Sequence, residues 1–243
     1  MPADELTQPA GDHVDPIAIL ASGEVEVLGR MPWSSNATFL VEAALDETTA
    51  LGVYKPERGE RPLWDFPSGL FRRELAAWYL SEALGWGVVP LTIERDGPYG
   101  QGSVQQFIAA DFEQHYFTLR EHAEHRDRLE RICVFDLLAN NADRKGGHCL
   151  AGDDGAIYAI DNGLTFHEDM KLRTVIWDFG GEPIPRALLA DVKRTLAGAV
   201  PRAVGDLLDP RENKALMARA RAVLKAGRFP EDTSGHRYPW PLV

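Results

Sequence analysis

The run Asn140-Asn141-Ala142-Asp143-Arg144-Lys145-Gly146-Gly147-His148, followed by Ile160-Asp161-Asn162-Gly163, decides how the rest of the chain is read. The first segment is polar or glycine at almost every position and comes straight after the apolar stretch 132–138. A loop of that composition presents side chains rather than burying them. Asp143 can accept a hydroxyl proton and orient the hydroxyl for attack. His148 can bind a metal or a phosphate. Asp161 ends an apolar strand just before Asn-Gly, where its carboxylate offers a hard oxygen to Mg²⁺. The blander reading of both segments is an Asn/Asp/Gly turn. A hairpin turning at Asp153-Asp154-Gly155 separates the two acids and would allow them to approach.

Upstream, residues 1–14 are polar and acidic and read as a disordered tail. Asp15-Pro16 suits the start of a short helix, with Asp as N-cap and Pro in the first turn. Alternating apolar positions predict strands near 25–29, 38–44 and 49–54. Pro56, Pro62 and Pro67 make 56–69 a loop. Leu70, Phe71, Leu75, Trp78, Tyr79 and Leu84 then recur near helical spacing, with Gly85 as terminator. Two further strands, 91–95 and 102–108, flank the turn Asp96-Gly97-Pro98. Downstream, helices are expected over 121–139, 185–199, 203–208 and 211–225, followed from Gly227 by an extended tail rich in Pro and aromatics. The fold class is therefore α+β and two-lobed: a sheet-rich lobe over 15–109 and a helical lobe over 110–243.

Bulk properties narrow the function. Acidic residues outnumber basic ones, 37 to 26, giving a net charge of −11. That balance opposes nucleic-acid binding and loose attachment to anionic lipid, both of which reward exposed Lys and Arg. The longest apolar runs are too short to span a bilayer, and the N-terminus lacks the basic and apolar regions of a secretory signal. Cys133 and Cys149 show no metal-binding spacing, and a reducing cytoplasm is the expected location. His115, His122 and His125 invite a metal site, but solvated histidines are the simpler reading.

One more pair completes the pattern. Lys55 ends the third strand in Val53-Tyr54-Lys55-Pro56, and Glu74 lies on the following helix in Arg72-Arg73-Glu74-Leu75. The order strand lysine, helix glutamate, Asn-x-Asp-Arg loop, hairpin, Asp-Asn-Gly resembles the atypical kinases. Among these are the phosphatidylinositol 3- and 4-kinases, the serine kinases of bacterial toxin–antitoxin modules and the secretory-pathway casein kinases. The chain looks most like a group of short bacterial proteins labelled phosphatidylinositol 3- and 4-kinase-like. The resemblance spans residues 23–225 and is specific over 138–166.

The resemblance implies a protein-kinase-like fold and the use of ATP with Mg²⁺ or Mn²⁺. Lys55 would hold the α/β-phosphates and Glu74 would orient it. Asp143 would be the catalytic aspartate, Asp161 the principal metal ligand and His148 a second ligand. Gln105, Gln106, Phe107 and Ile108 would border adenine, and Ser34, Ser35 and Asn36 would cover the phosphates. The acceptor would be a hydroxyl on a protein or on a soluble polyol or inositol-type molecule. Several features depart from the pattern. No G-x-G-x-x-G loop is present, Lys145 stands where those kinases often carry His, and His148 replaces the usual metal-binding Asn. Asp161-Asn162-Gly163 replaces Asp-Phe-Gly. These departures leave two alternatives open: a nucleotide-binding pseudokinase acting as an interaction module, and a kinase fold that transfers AMP.

Overall fold

The computed structural model describes residues 15–32, 34 and 36–243; the expected tail 1–14 and Ser35 lie outside the described residues. The chain divides into two compact units. One takes the chain up to Leu75 together with Pro90–Ala109; the other comprises Ala76–Val89 and Ala110–Val243. Residues 76–89 therefore go with the helices rather than with the strands. Ala76, Ala77, Leu80, Leu84 and Val88 supply the reason, since all are buried in the core of the second unit.

The first unit is built on a five-stranded antiparallel sheet in the order β1-β2-β3-β5-β4. Its strands are β1 (Glu24–Arg30), β2 (Phe39–Leu45), β3 (Thr48–Pro56), β4 (Thr92–Gly97) and β5 (Gly100–Gln106). Helix α1 (Pro16–Ser22) packs on one face, capped by Asp15, whose side chain accepts from Ile17 N–H at 3.0 Å. Ile19, Leu20, Val41, Ala50, Tyr54 and Val104 form the core between them. The expected Asp96-Gly97-Pro98 turn sits slightly later. Gly97 pairs with Gly100, so Pro98 and Tyr99 make the turn, and Gly100 takes the left-handed φ of +93° that a Cβ would resist.

Helix α2 (Leu70–Leu84) has the bounds read from its periodicity. Its first turn is capped from a distance by Glu60, whose carboxylate accepts from Gly69 and Phe71 N–H, both at 2.9 Å.

The second unit contains α3 (Tyr116–Leu119), α4 (Arg126–Ala139), the hairpin β6 (Cys149–Ala151) and β7 (Ile157–Ala159), and helices α5 (Arg186–Leu196), α6 (Arg202–Gly205) and α7 (Pro210–Ala226). The single helix expected over 121–139 is shorter, because a 3₁₀ turn over Ala123–His125 precedes α4. The buried face of α4, including Leu129, Ile132, Phe135 and Leu138, is the centre of this core. Residues 227–243 form the extended tail. Their backbone accepts from Thr174 N–H at Arg237 (3.0 Å) and from Gly146 N–H at Leu242 (2.7 Å). The segment Trp177-Asp178-Phe179-Gly180-Gly181 is anchored by Phe179, which is buried against Phe229. Among the described residues no helix is long and apolar enough to cross a membrane.

Candidate functional site

In the first unit the period-two alternation of β3 decides where Lys55 points. Ala50, Gly52, Tyr54 and Pro56 are buried in turn, so Lys55 lies on the opposite face from Tyr54 and the α1-side core. There its ammonium pairs with Glu74 Oε1. Glu74 is 2% exposed, which is not the behaviour of a surface carboxylate.

The β1–β2 loop is braced by its own polar groups. Ser34 Oγ lies 2.8 Å from Thr38 Oγ1, and Asn36 Oδ1 accepts from Arg61 N–H at 2.9 Å. Ser35 lies outside the described residues. At the end of β5 the Gln105 amide is buried and donates to Thr92 Oγ1 at 2.9 Å. Gln106 N–H goes to Leu91 O (2.7 Å) and Phe107 N–H to Leu51 O (3.0 Å). Ile108 is the residue of this group that follows those backbone bonds.

In the second unit α4 ends at Asn140, whose left-handed φ of +56° suits the residue after a helix. The Asn140 side chain donates to His167 and Asp169 carbonyls and accepts from Lys171 N–H at 2.9 Å. The loop that follows is tied along its length to 164–175. Ala142 N–H reaches Leu164 O at 2.9 Å, Arg173 N–H reaches Asn141 O at 2.9 Å and Arg144 N–H reaches Arg173 O at 3.0 Å. Asn141 Oδ1 accepts from Asp143 N–H at 2.9 Å. A Cβ on Gly146 would come within 3.1 Å of the Phe117 ring and 3.3 Å of Leu242 O, so this position favours glycine.

The side chain that joins this loop to the Asp-Asn-Gly segment is Arg144. It is fully buried and holds Asp136 of α4 through both carboxylate oxygens, with N···O distances from 2.9 to 3.2 Å. It also donates to Ile160 O and, at 2.7 Å, to Asn162 Oδ1. Burial works against its charge, but Asp136 foremost, with Cys149 and Asp161, more than offsets this and the guanidinium pKa is raised. Asn162 is itself buried and donates to Ala159 O at 3.0 Å. Asn162 is thus a polar rivet between Arg144 and the end of the hairpin. Beside it, Asp161 takes a left-handed φ of +55°, a sparsely populated conformation for a side chain with a Cβ and one that clusters at functional sites.

Sequence reading missed Asp136 and gave Arg144 no role. An acid inside the apolar run Ile132-Cys133-Val134-Phe135-Asp136-Leu137-Leu138 was the available signal, because a buried carboxylate requires a partner.

Asp143 and Asp161 interact electrostatically. Burial pushes the Asp143 carboxyl above the usual range, Lys145 pulls it back and Asp161 adds to the rise. Lys145 Nζ lies 2.6 Å from Asp143 Oδ2. His148 Nδ1 accepts from Lys145 N–H at 3.3 Å, and its Nε2 lies 3.5 Å from Asp161 Oδ2. Among the described residues no group of three or more His, Cys, Asp or Glu could hold a metal ion. Mg²⁺ does not need such a cage, since it is commonly held by one or two carboxylates plus substrate phosphates and waters. The hard carboxylate oxygens of Asp161 fit such an ion.

Protein Rv2133c of Mycobacterium tuberculosis is 42% identical over 265 residues, spanning 93% of this chain and 95% of that protein. The chain belongs to its family. No family model matches the chain. Two solved structures share the fold at low identity. The structure of hydra Fam20 with sugar matches at a TM-score of 0.58 and 13% identity, over 86% of each chain. The Helicobacter pylori proinflammatory kinase CtkA matches at 0.51 and 11%, over 86% of this chain and 94% of that one. The mixed α/β architecture is a two-lobed, kinase-like fold.

Proposed function

We propose that this protein is an ATP-dependent phosphotransferase of the atypical kinase type, acting on a hydroxyl of a protein or of a soluble polyol or inositol-type molecule. The observation that carries the reading is the Lys55–Glu74 pair, with its carboxylate almost wholly buried on the far face of β3 from the core. A lysine fixed by a helix glutamate is the kinase device for gripping nucleotide phosphates. CtkA, which shares the fold, is described as a kinase.

The roles then follow. Lys55 binds the α/β-phosphates and Glu74 orients it. The segment 105–108 borders adenine and touches it through its backbone. Ser34 and Asn36, and Ser35 with them, belong to the phosphate-covering loop. Asp161 would hold Mg²⁺ or Mn²⁺, which when bound neutralises charge on the β- and γ-phosphates. Asp143 accepts the proton as the acceptor oxygen bonds to the γ-phosphorus. The bridging P–O bond breaks and ADP departs with its electron pair. Lys145 helps keep Asp143 ionised against its burial.

The motif order supports the phosphatidylinositol 3- and 4-kinase-like label, but the net charge of −11 favours a soluble acceptor over a bilayer lipid. The sugar in the Fam20 structure makes polyols and sugars worth including among acceptors. The free, buried thiols of Cys133 and Cys149 fit the reducing cytoplasm.

The test is mass spectrometry of the protein and of a panel of protein, polyol and sugar acceptors after incubation with ATP and Mg²⁺ or Mn²⁺. Phosphotransfer adds about 80 Da, and the Asp143→Asn variant should not produce it. A product heavier by about 329 Da would instead establish AMP transfer. Nucleotide binding with neither product would establish a pseudokinase.

A further inference from the structure

Both ring nitrogens of His148 have a polar neighbour. Nδ1 accepts the backbone N–H of Lys145 at 3.3 Å. In the neutral imidazole one nitrogen accepts and the other carries the proton, so the proton sits on Nε2. That nitrogen faces Asp161 Oδ2 at 3.5 Å.

A metal-ligating histidine is wired the other way. One nitrogen is bare towards the ion, and the second donates its N–H to a carboxylate or carbonyl. Here the second nitrogen meets a donor. Coordination through Nε2 would move the proton to Nδ1, against the N–H of Lys145. Coordination through Nδ1 would displace that same N–H.

The backbone keeps the ring in place. His148 N–H donates to Lys145 O at 3.2 Å, and Ile160 N–H, next to Asp161, donates to His148 O at 3.0 Å. The His148 side chain is only 15% exposed, against 51% for Asp161. The more accessible partner is the one able to reach an ion.

We infer that His148 is a positioning residue: its Nε2–H holds the Asp161 carboxylate, and its ring does not enter the metal's coordination sphere. This rests on the proposed binding of a divalent ion with ATP. In this chain the position that other kinases give to a metal-binding Asn orients the remaining ligand instead. The coordination sphere is then all oxygen, which Mg²⁺ and Mn²⁺ prefer to imidazole.

The full chain, carrying ¹⁵N-labelled histidine, is loaded with Mn²⁺ and an ATP analogue bridged by methylene between its β- and γ-phosphorus atoms. Pulsed electron paramagnetic resonance reads nitrogen bound to the ion, and the label separates histidine from adenine. Wild type should show bound Mn²⁺ with no directly coordinated histidine ¹⁵N. His148→Ala should weaken Mn²⁺ binding about 10- to 100-fold, the usual effect of losing an outer partner. His148→Gln, which keeps an N–H at the same reach, should recover most of it. A coordinated histidine ¹⁵N signal in wild type that vanishes in His148→Gln would overturn the inference while leaving nucleotide binding intact. Unchanged Mn²⁺ affinity in His148→Ala would overturn it too. Failure of wild type to bind Mn²⁺ with the nucleotide would bring down the kinase reading itself. The wild-type spectrum decides the matter even if the alanine variant does not fold.

Discussion

At the scale of single residues, the acids were legible and their scaffold was not. Asp143 stands out in a polar loop that follows an apolar helix, and Asp161 because it ends an apolar strand before Asn-Gly. Asp136 is hidden by the rule that helix acids face water, which fails here because Arg144 follows it into the interior. The two visible acids should separate by function. Asp161→Asn should abolish metal-dependent ATP binding, whereas Asp143→Asn should keep nucleotide affinity within a few-fold and lose transfer by about 10²-fold or more. Titration calorimetry and a phosphate-transfer assay measure the two properties; full transfer in Asp143→Asn would remove it as the base. The hidden pair should matter to stability. Arg144→Met strands a buried carboxylate and should cost about 3–5 kcal/mol in chemical denaturation. The double variant Asp136→Leu/Arg144→Met should lose clearly less than the sum of the two single changes. Additive losses would mean the pair contributes no coupling.

At the scale of elements, periodicity placed α2 and most of β3 because both bury one face. The same alternation that buries Tyr54 presents Lys55 to Glu74, so fold and site share one pattern. Short elements were harder. Helix α3 has four residues and no repeat to detect, and the start of α4 was blurred by the 3₁₀ turn before it. Helix α7, expected over 211–225, spans Pro210–Ala226: Asp209-Pro210 opens it and Gly227, at φ +60°, closes it. Asp209 accepts from Arg211 and Glu212 N–H at 2.7 and 3.0 Å, while Glu212 reaches back to Asp209 N–H at 3.1 Å. Asp209→Ala should therefore destabilise the protein by about 0.5–2 kcal/mol, with nucleotide binding unchanged. Equilibrium denaturation checks the first part, and an unchanged midpoint would show that the cap contributes nothing.

At the scale of the whole molecule, a strand-rich half followed by a helical half was readable from composition and pattern alone. The assignment of 76–89 to the helical unit was not, because that depends on which core Ala76, Leu80 and Val88 join. Under the proposed function, the Lys55–Glu74 pair and Asp161 share one purpose, binding ATP with a divalent ion. A melting experiment with saturating ATP and Mg²⁺ measures that purpose most directly. Ligand at about 100 times its dissociation constant should stabilise wild type by about 2.7 kcal/mol, and Lys55→Met and Asp161→Asn should each abolish most of the shift while still melting cooperatively. A wild-type melt unmoved by nucleotide and metal, together with no heat of binding by calorimetry, would contradict the account.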